Sequence, residues 1–165
     1  MLFVCFHKAI GATQSSGGAV FIFCYNITSQ MWKQTSVLTK KDSFPTDSFG
    51  FSLAMETFLT DSSAYSVLVV GAPNISTAYV YVLMSTSNSW RLASELTDHN
   101  ASFDMRNEFG FSVSVNEGLV VVGAKSTSSD SGAGHATSYT VNNEYSDSTI
   151  SWNYQTTVRT ALMLD

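Results

Sequence analysis

The chain has 165 residues, of which 44% are hydrophobic and only 13% are charged, and its formal net charge is −5. That length corresponds to about one ordinary domain with room for a sizeable core. The acidic balance argues against nucleic acid or an anionic membrane surface as a partner, because both attract clustered Lys and Arg. No apolar run reaches the roughly 18 residues of a membrane span, so we expect no membrane insertion by this chain.

Strand-like segments rich in aromatic and β-branched residues follow one another along the chain. The first group is Phe3–Ile10, Ala19–Tyr25 and Met31–Leu38. The second group is Phe49–Met55, Ser66–Val70, Ala78–Met84 and Trp90–Leu96. The third group is Phe109–Val115, Leu119–Val122, Ala136–Val141 and Ile150–Val158. Helical periodicity is absent, so the sequence predicts an all-β fold. The opening residues 1–6 lack a basic flank and are interpreted as part of the first strand, not as a signal peptide.

Two short sequence motifs, Gly-Ala and Phe-Gly, recur at matched positions in these groups. Gly-Ala ends a strand three times, and Phe-Gly opens the second and third groups, within Asp-Ser-Phe-Gly-Phe-Ser and Asn-Glu-Phe-Gly-Phe-Ser. Strand-like contents at such a period predict an array of small sheets, in units of about 1–39, 47–97 and 107–160. The marked positions are Gly11, Ala12, Phe49, Gly50, Gly71, Ala72, Pro73, Phe109, Gly110, Gly123 and Ala124.

The strands and their connections carry two further expectations. The runs 67–70 and 119–122 do not alternate between apolar and polar residues, which predicts burial on both faces of their sheets. The distance from Phe-Gly to Gly-Ala is eight residues longer in the second group than in the third. We assign this difference to a long connection over Glu56–Tyr65, where the third group has a tight turn over Asn116–Gly118.

Phe49-Gly50 followed by Gly71-Ala72-Pro73 resembles the FG-GAP repeat found in the head of integrin α chains. The resemblance covers nearly the whole chain, although Lys125 replaces the proline in the third unit. It implies consecutive four-stranded antiparallel blades of a β-propeller, about three blades in an incomplete ring. Each Gly of Phe-Gly would allow a close backbone approach, and each Phe would wedge between blades.

The resemblance also implies that both ends of the chain fall within repeats. The chain would then be a segment of a longer propeller whose outer sheets each expose an apolar face. Expressed alone, it should aggregate, stay partly unfolded or assemble with itself.

No constellation of catalytic or cofactor-binding residues is recognisable. His7, His99 and His135 share no metal-ligand spacing, and residues 50–54 lack the second Gly of a nucleophile elbow. The glycines of 131–135 precede a strand and not a helix, which argues against a phosphate-binding loop. The sequence therefore predicts no enzyme and no cofactor.

Calcium is a separate question, because several integrin blades bind it in an acidic loop between the Phe-Gly and Gly-Ala strands. The corresponding segments here, 57–63 and 116–118, hold one carboxylate each. A calcium ion takes six to eight oxygen ligands, so we predict no metal site.

Three glycosylation sequons begin at Asn26, Asn74 and Asn100. Together with the family resemblance, they suggest an extracellular or cell-surface glycoprotein. Pairing Ile10 with Ala19 would set Cys5 opposite Cys24. That pair would form a disulfide in an oxidising compartment, and two buried thiols are the alternative.

The resulting interpretation is a non-catalytic segment that acts in protein binding or cell adhesion, with a protein ligand or the remaining blades as partners. Two alternatives stay open. One is an accessory region of a secreted or surface hydrolase of the phospholipase type, and the other is a purely structural surface protein. No loop carries a pattern that identifies the ligand.

Overall fold

The computed structural model describes residues 6–14, 17–42, 44–59, 64–84, 89–98, 107–125, 134–141 and 152–159. Within these ranges the regular structure is β-strand throughout, apart from one 3₁₀ turn at Pro73–Ile75. The strands form three antiparallel sheets. The predicted all-β class is therefore confirmed.

The first sheet has three strands in the order β1-β2-β3. They are β1 (Phe6–Ala12), β2 (Ala19–Asn26) and β3 (Met31–Leu38). The expected pairing of β1 with β2 is wrong by two residues: Ile10 pairs with Phe21, and Ala19 pairs with Ala12. The ladder continues through Gly11 and Ala12, so the connection is shorter than the sequence suggested. As a result, Cys24 stands opposite His7.

The second and third sheets have four strands each, and neighbours in sequence are neighbours in the sheet. The second sheet contains β4 (Ser52–Leu59), β5 (Ala64–Ala72), β6 (Thr77–Met84) and β7 (Trp90–Thr97). The third sheet contains β8 (Phe109–Asn116), β9 (Leu119–Ala124), β10 (His135–Val141) and β11 (Trp152–Arg159). Both sheets are meanders, the simplest antiparallel arrangement.

The extra eight residues of the second group lie mostly in strands and not in a loop. Glu56 pairs with Val67, and pairing continues to Leu59 and Ala64. The long connection expected over Glu56–Tyr65 is therefore wrong. The extra residues lengthen strands β4 and β5. The added part of the ladder is stabilised by cross-strand contacts such as the stacked rings of Phe58 and Tyr65, whose centroids are 4.9 Å apart.

The three sheets share one irregularity. The pairing register shifts after Ile22 in the first sheet, after Val80 in the second and after Ser138 in the third. In each sheet, one strand residue pairs with the Gly of Gly-Ala, and the register shifts two positions after that residue. A β-bulge bends its strand and increases the local twist, so the three sheets are deformed at the same place.

The second sheet is buried on both faces. All four residues of 67–70 are fully buried. Val67 and Val69 belong to the cluster shared with the third sheet, and Leu68 and Val70 to the cluster shared with the first. The expectation for this run is confirmed.

The corresponding run in β9 is buried on one face. Val120 and Val122 are fully buried, whereas Leu119 is 42% exposed. The expectation of two buried faces at 119–122 is therefore wrong, because a described neighbour packs against one side of the third sheet and not the other. The same holds for β2, where Val20 and Ile22 are fully buried but Phe21 and Phe23 are not.

Candidate functional site

The Phe-Gly motifs form two equivalent turns, 48–51 and 108–111, which we call the Phe-Gly turns. The amide of Phe51 donates to the carbonyl of Ser48 at 3.2 Å, and the amide of Phe111 donates to that of Glu108 at 3.0 Å. Gly50 and Gly110 have φ of 89° and 92°, as the third position of a type II turn requires. Phe49 therefore precedes β4, which begins at Ser52 and not at Phe49 as predicted.

Each Phe-Gly turn contacts the Gly-Ala strand end of the preceding sheet. A Cβ on Gly11 would lie 2.0 Å from the carbonyl oxygen of Gly50, and one on Gly71 would lie 2.0 Å from that of Gly110. No side chain fits between backbones at this distance, so both Gly-Ala glycines are required by contact between sheets. The hydroxyl of Ser52 also donates to the Gly110 carbonyl at 2.7 Å.

The phenylalanines of the turns are fully buried between sheets. Phe49 packs edge-on against Tyr79 and Tyr81, with ring centroids 5.5 and 6.3 Å apart. Phe109 packs in the same way against Tyr139 at 6.4 Å. Aromatic edge-to-face pairs at such distances add about 1 kcal/mol to the area that they bury. Ala72 is also fully buried, and Pro73 opens the 3₁₀ turn beside it.

The third Gly-Ala strand end borders an open cavity of about 390 Å³. A Cβ on Gly123 would meet the hydroxyl of Ser112 at 2.3 Å, and no backbone within 3 Å. Nothing in the described ranges takes the place that Gly50 and Gly110 hold at the other two ends. The lining residues are Phe111, Ser112, Gly123, Ala124, Lys125, Gly134, His135 and Ala136.

A partly buried ion pair lies in the connection between the first and second sheets. Lys40 Nζ lies 2.6 Å from Asp47 Oδ2, which also accepts the amide of Phe44 at 3.1 Å. Burial disfavours the charged carboxylate, but the Lys40 hydrogen bond, the Phe44 amide and the Lys40 charge together outweigh it. They hold the pKa of Asp47 below its ordinary value.

A different polar group occupies the matched place between the second and third sheets. Asn107 donates from Nδ2 to Asp98 Oδ2, and His135 Nε2 lies 2.8 Å from the same oxygen. The His135 and Asp98 side chains are 9% and 2% exposed. Sequence reasoning missed this cluster. The sequence did contain a signal for it. When the units are aligned, Asp98 and Asn107 fall at the positions of Lys40 and Asp47, which predicts a polar contact between them.

The cluster lies beside the cavity at the third Gly-Ala strand end. His135 and Ser112 both line the cavity, which raises the question of a serine nucleophile with a histidine base. Such a pair needs a hydrogen bond between the two, and none joins them among the contacts of the described residues. His7 lies elsewhere, edge-on to Trp90 at 6.0 Å, and His99 is outside the described residues. The three histidines are thus not brought together as far as the structure describes them.

The predicted modification sites differ in their surroundings. Asn26 Oδ1 accepts the amides of Thr28 and Ser29 at 2.9 and 3.0 Å, which fixes the β2–β3 turn. Asn74 Nδ2, the atom that a glycan would modify, donates to the Thr46 carbonyl at 2.7 Å and to Ser48 Oγ at 2.9 Å. Asn100 lies outside the described residues.

Cys24 is disulfide-bonded. The sequence contains one other cysteine, Cys5, which lies outside the described residues.

Of the segments where the family would bind calcium, residues 60–63 are not described and 117–118 form a tight turn. In the described ranges, no group of three or more His, Cys, Asp or Glu side chains could hold a metal ion. These ranges also contain no helix with the length and apolar character needed to cross a membrane.

Compared with protein-family models and with curated protein sequences, the chain gives no match. The FG-GAP resemblance therefore depends on the motifs themselves and on the contacts that they make.

Proposed function

We propose that the chain forms consecutive blades of an FG-GAP-type β-propeller and acts as a non-catalytic module for protein binding or cell adhesion. One observation carries the proposal. The Phe-Gly turn of a sheet meets the Gly-Ala end of the sheet before it, at Gly11–Gly50 and again at Gly71–Gly110, with the same 2.0 Å approach. Two copies of one contact generate a regular array.

The direction of this array supports a propeller. The second sheet packs one face on the first sheet and the other face on the third, so the contact is head-to-tail. Head-to-tail contacts of constant geometry continue into a ring or a helix. The FG-GAP resemblance favours the ring, and the bulge shared by the three sheets supports the idea that they are copies of one unit.

A binding role agrees with how the chain is built. The contacts between sheets form a rigid frame, while the hairpin at one end grows from a two-residue turn at 117–118 to the extended β4–β5 ladder. Hairpin ends that vary in length while the frame is kept are where binding sites usually lie. The disulfide at Cys24 supports an extracellular or cell-surface location, because disulfides persist in oxidising compartments.

Binding to cells tests the proposal. Fluorescently labelled chain should bind saturably to a cell surface or to extracellular-matrix proteins, measured by flow cytometry and on coated plates. The signal should not change with EDTA, because we propose no calcium site. The matched control is Gly71→Ala, which breaks one contact between sheets without changing any loop. Absence of saturable binding would contradict the proposed function, and equal binding by the control would show that binding does not depend on the contact between sheets.

A further inference from the structure

We propose that the cavity beside Gly123 and Ala124 binds a second polypeptide segment that carries Phe-Gly in a type II turn. This inference rests on the proposed blade function and deepens it, because it states the chemistry of the segment that would pack on the third sheet. The cavity is the third member of a set of three sites, of which the other two are filled.

The filled sites show what the occupant must contribute to the backbone contact. At both of them a glycine carbonyl lies over the Gly of Gly-Ala. At the second site the same carbonyl accepts the hydroxyl of Ser52. Ser112 takes the place of Ser52 in the third sheet: its hydroxyl lies 2.3 Å from a Cβ built on Gly123, against 2.2 Å for Ser52 and Gly71. The cavity thus presents a hydroxyl donor at the position where an occupant's glycine carbonyl would accept it.

The aromatic requirement follows from the residue after the glycine. Phe51 packs against Phe111, with ring centroids 5.2 Å apart and a tilt of 45°. Phe111 lines the cavity and is 38% exposed. An aromatic residue directly after the glycine of the incoming turn would pack on Phe111 as Phe111 packs on Phe51. The expected segment is therefore Phe-Gly-Phe-Ser or a close variant.

The rim adds a charge preference. Lys125 replaces Pro73 in the third unit and is exposed, with Nζ 5.3 Å from the Phe111 ring centroid and 3.6 Å from Glu108. A cation at the mouth favours an acidic residue before the turn, as Asp47 precedes Phe49 in this chain.

The occupant must have glycine at the turn. In the second site, a Cβ on Gly110 would lie 2.5 Å from the carbonyl oxygen of Thr77, and Gly110 has positive φ. A segment with alanine at this position would be rejected for both reasons. A second folded copy of the chain cannot supply the turn, because Phe49 and Phe109 are fully buried in their own sites. The partner is a separate segment with an unoccupied Phe-Gly turn.

A peptide with the sequence of residues 46–53 supplies the test. Labelled at its N-terminus and titrated with the intact chain, it should show a saturable rise in fluorescence anisotropy with Kd in the micromolar range. Gly123→Ala should weaken binding about tenfold or more by filling the contact point. Ser112→Ala should weaken it about two- to tenfold through the lost hydrogen bond. The peptide with alanine in place of Gly50 should not bind.

Ser52→Ala is the matched control, because it removes the same hydroxyl at a filled site and should leave peptide affinity unchanged. Circular dichroism and thermal melting establish that each variant is folded. No saturable binding of the peptide, or binding that Gly123→Ala and Ser112→Ala both leave unchanged, overturns the inference. Peptide binding and cell binding are independent readouts, so failure of the inference is distinguishable from failure of the proposed function.

Discussion

The glycines of Gly-Ala show how a single atom can determine the contact between two sheets. Gly71 and Gly123 occupy matched positions, and a Cβ would meet a serine hydroxyl at both, but only at Gly71 would it also meet a backbone carbonyl. A hydroxyl can rotate away, whereas a carbonyl fixed by two sheets cannot. The same substitution therefore has different consequences at the two positions.

Gly71→Ala should lower the free energy of unfolding by about 3 kcal/mol, because the methyl group overlaps the Gly110 carbonyl in a packed interface. Gly123→Ala should cost about 1 kcal/mol or less. Urea unfolding followed by circular dichroism compares the two directly. Equal losses would show that the approach of Gly110 to Gly71 does not constrain the fold.

Asp47 makes a prediction about acid stability. Its pKa is lowered, so its contribution to stability is present above the unfolded value of 3.8 and is lost as pH falls through the folded value below that. Asp47→Ala should cost about 2 kcal/mol at pH 7 and much less at a pH below both values. The comparison is urea unfolding at the two pH values, with Lys41→Ala as an exposed neighbouring control. A loss independent of pH would contradict the role of the Lys40 pair.

At the level of elements, the sequence predicted the strands well and the pairing between them less well. Aromatic and β-branched runs located each of the eleven strands in the described part of the chain within a few residues. The β1–β2 register and the β4–β5 extension were wrong, because both depend on cross-strand contacts that no local pattern shows. The Asp98–His135 contact was missed for the same reason, since Asp98 follows β7 of the second sheet and His135 begins β10 of the third, 37 positions further on.

The contact of β1 with β7 is sensitive to pH through His7. Burial lowers the pKa of His7, which lies edge-on to Trp90 between the first and second sheets. Below the unfolded value of 6.5, the unfolded chain binds the proton more readily than the folded chain does, so stability falls as pH decreases towards the folded value. Unfolding followed by Trp fluorescence from pH 7.5 to 5 should show this loss, and His7→Phe should remove it. A His7→Phe profile that matches the unaltered chain would refute the assignment.

At the scale of the whole molecule, the first sheet presents an apolar face that no described residue covers. Two apolar rows of side chains cross it, one through Ile10, Phe21 and Val37 and the other through Phe6, Tyr25 and Trp32. The row between them is Lys8, Phe23 and Gln34, and Lys8 Nζ lies 4.9 Å from the centroid of the Trp32 ring. Phe6 and Ile10 are 59% and 57% exposed. The corresponding face of the second sheet carries Tyr79 and Tyr81 and is covered by Phe49 and the first sheet. Exposed aromatic and aliphatic side chains gathered on one sheet face, even with Lys8 and Gln34 among them, favour a contact with another molecule or segment.

The chain in isolation should therefore associate with itself in a concentration-dependent manner, measured by sedimentation velocity and light scattering. If the first sheet's face is responsible, Ile10→Lys together with Val37→Lys should shift the chain towards monomer without loss of melting temperature, because both side chains are more than 40% exposed. Leu92→Lys is the matched control: Leu92 is 42% exposed but lies on β7 of the second sheet, so this substitution should leave association unchanged. A monodisperse monomer before any substitution would show that the exposed face is tolerated in water and needs no neighbouring sheet to cover it.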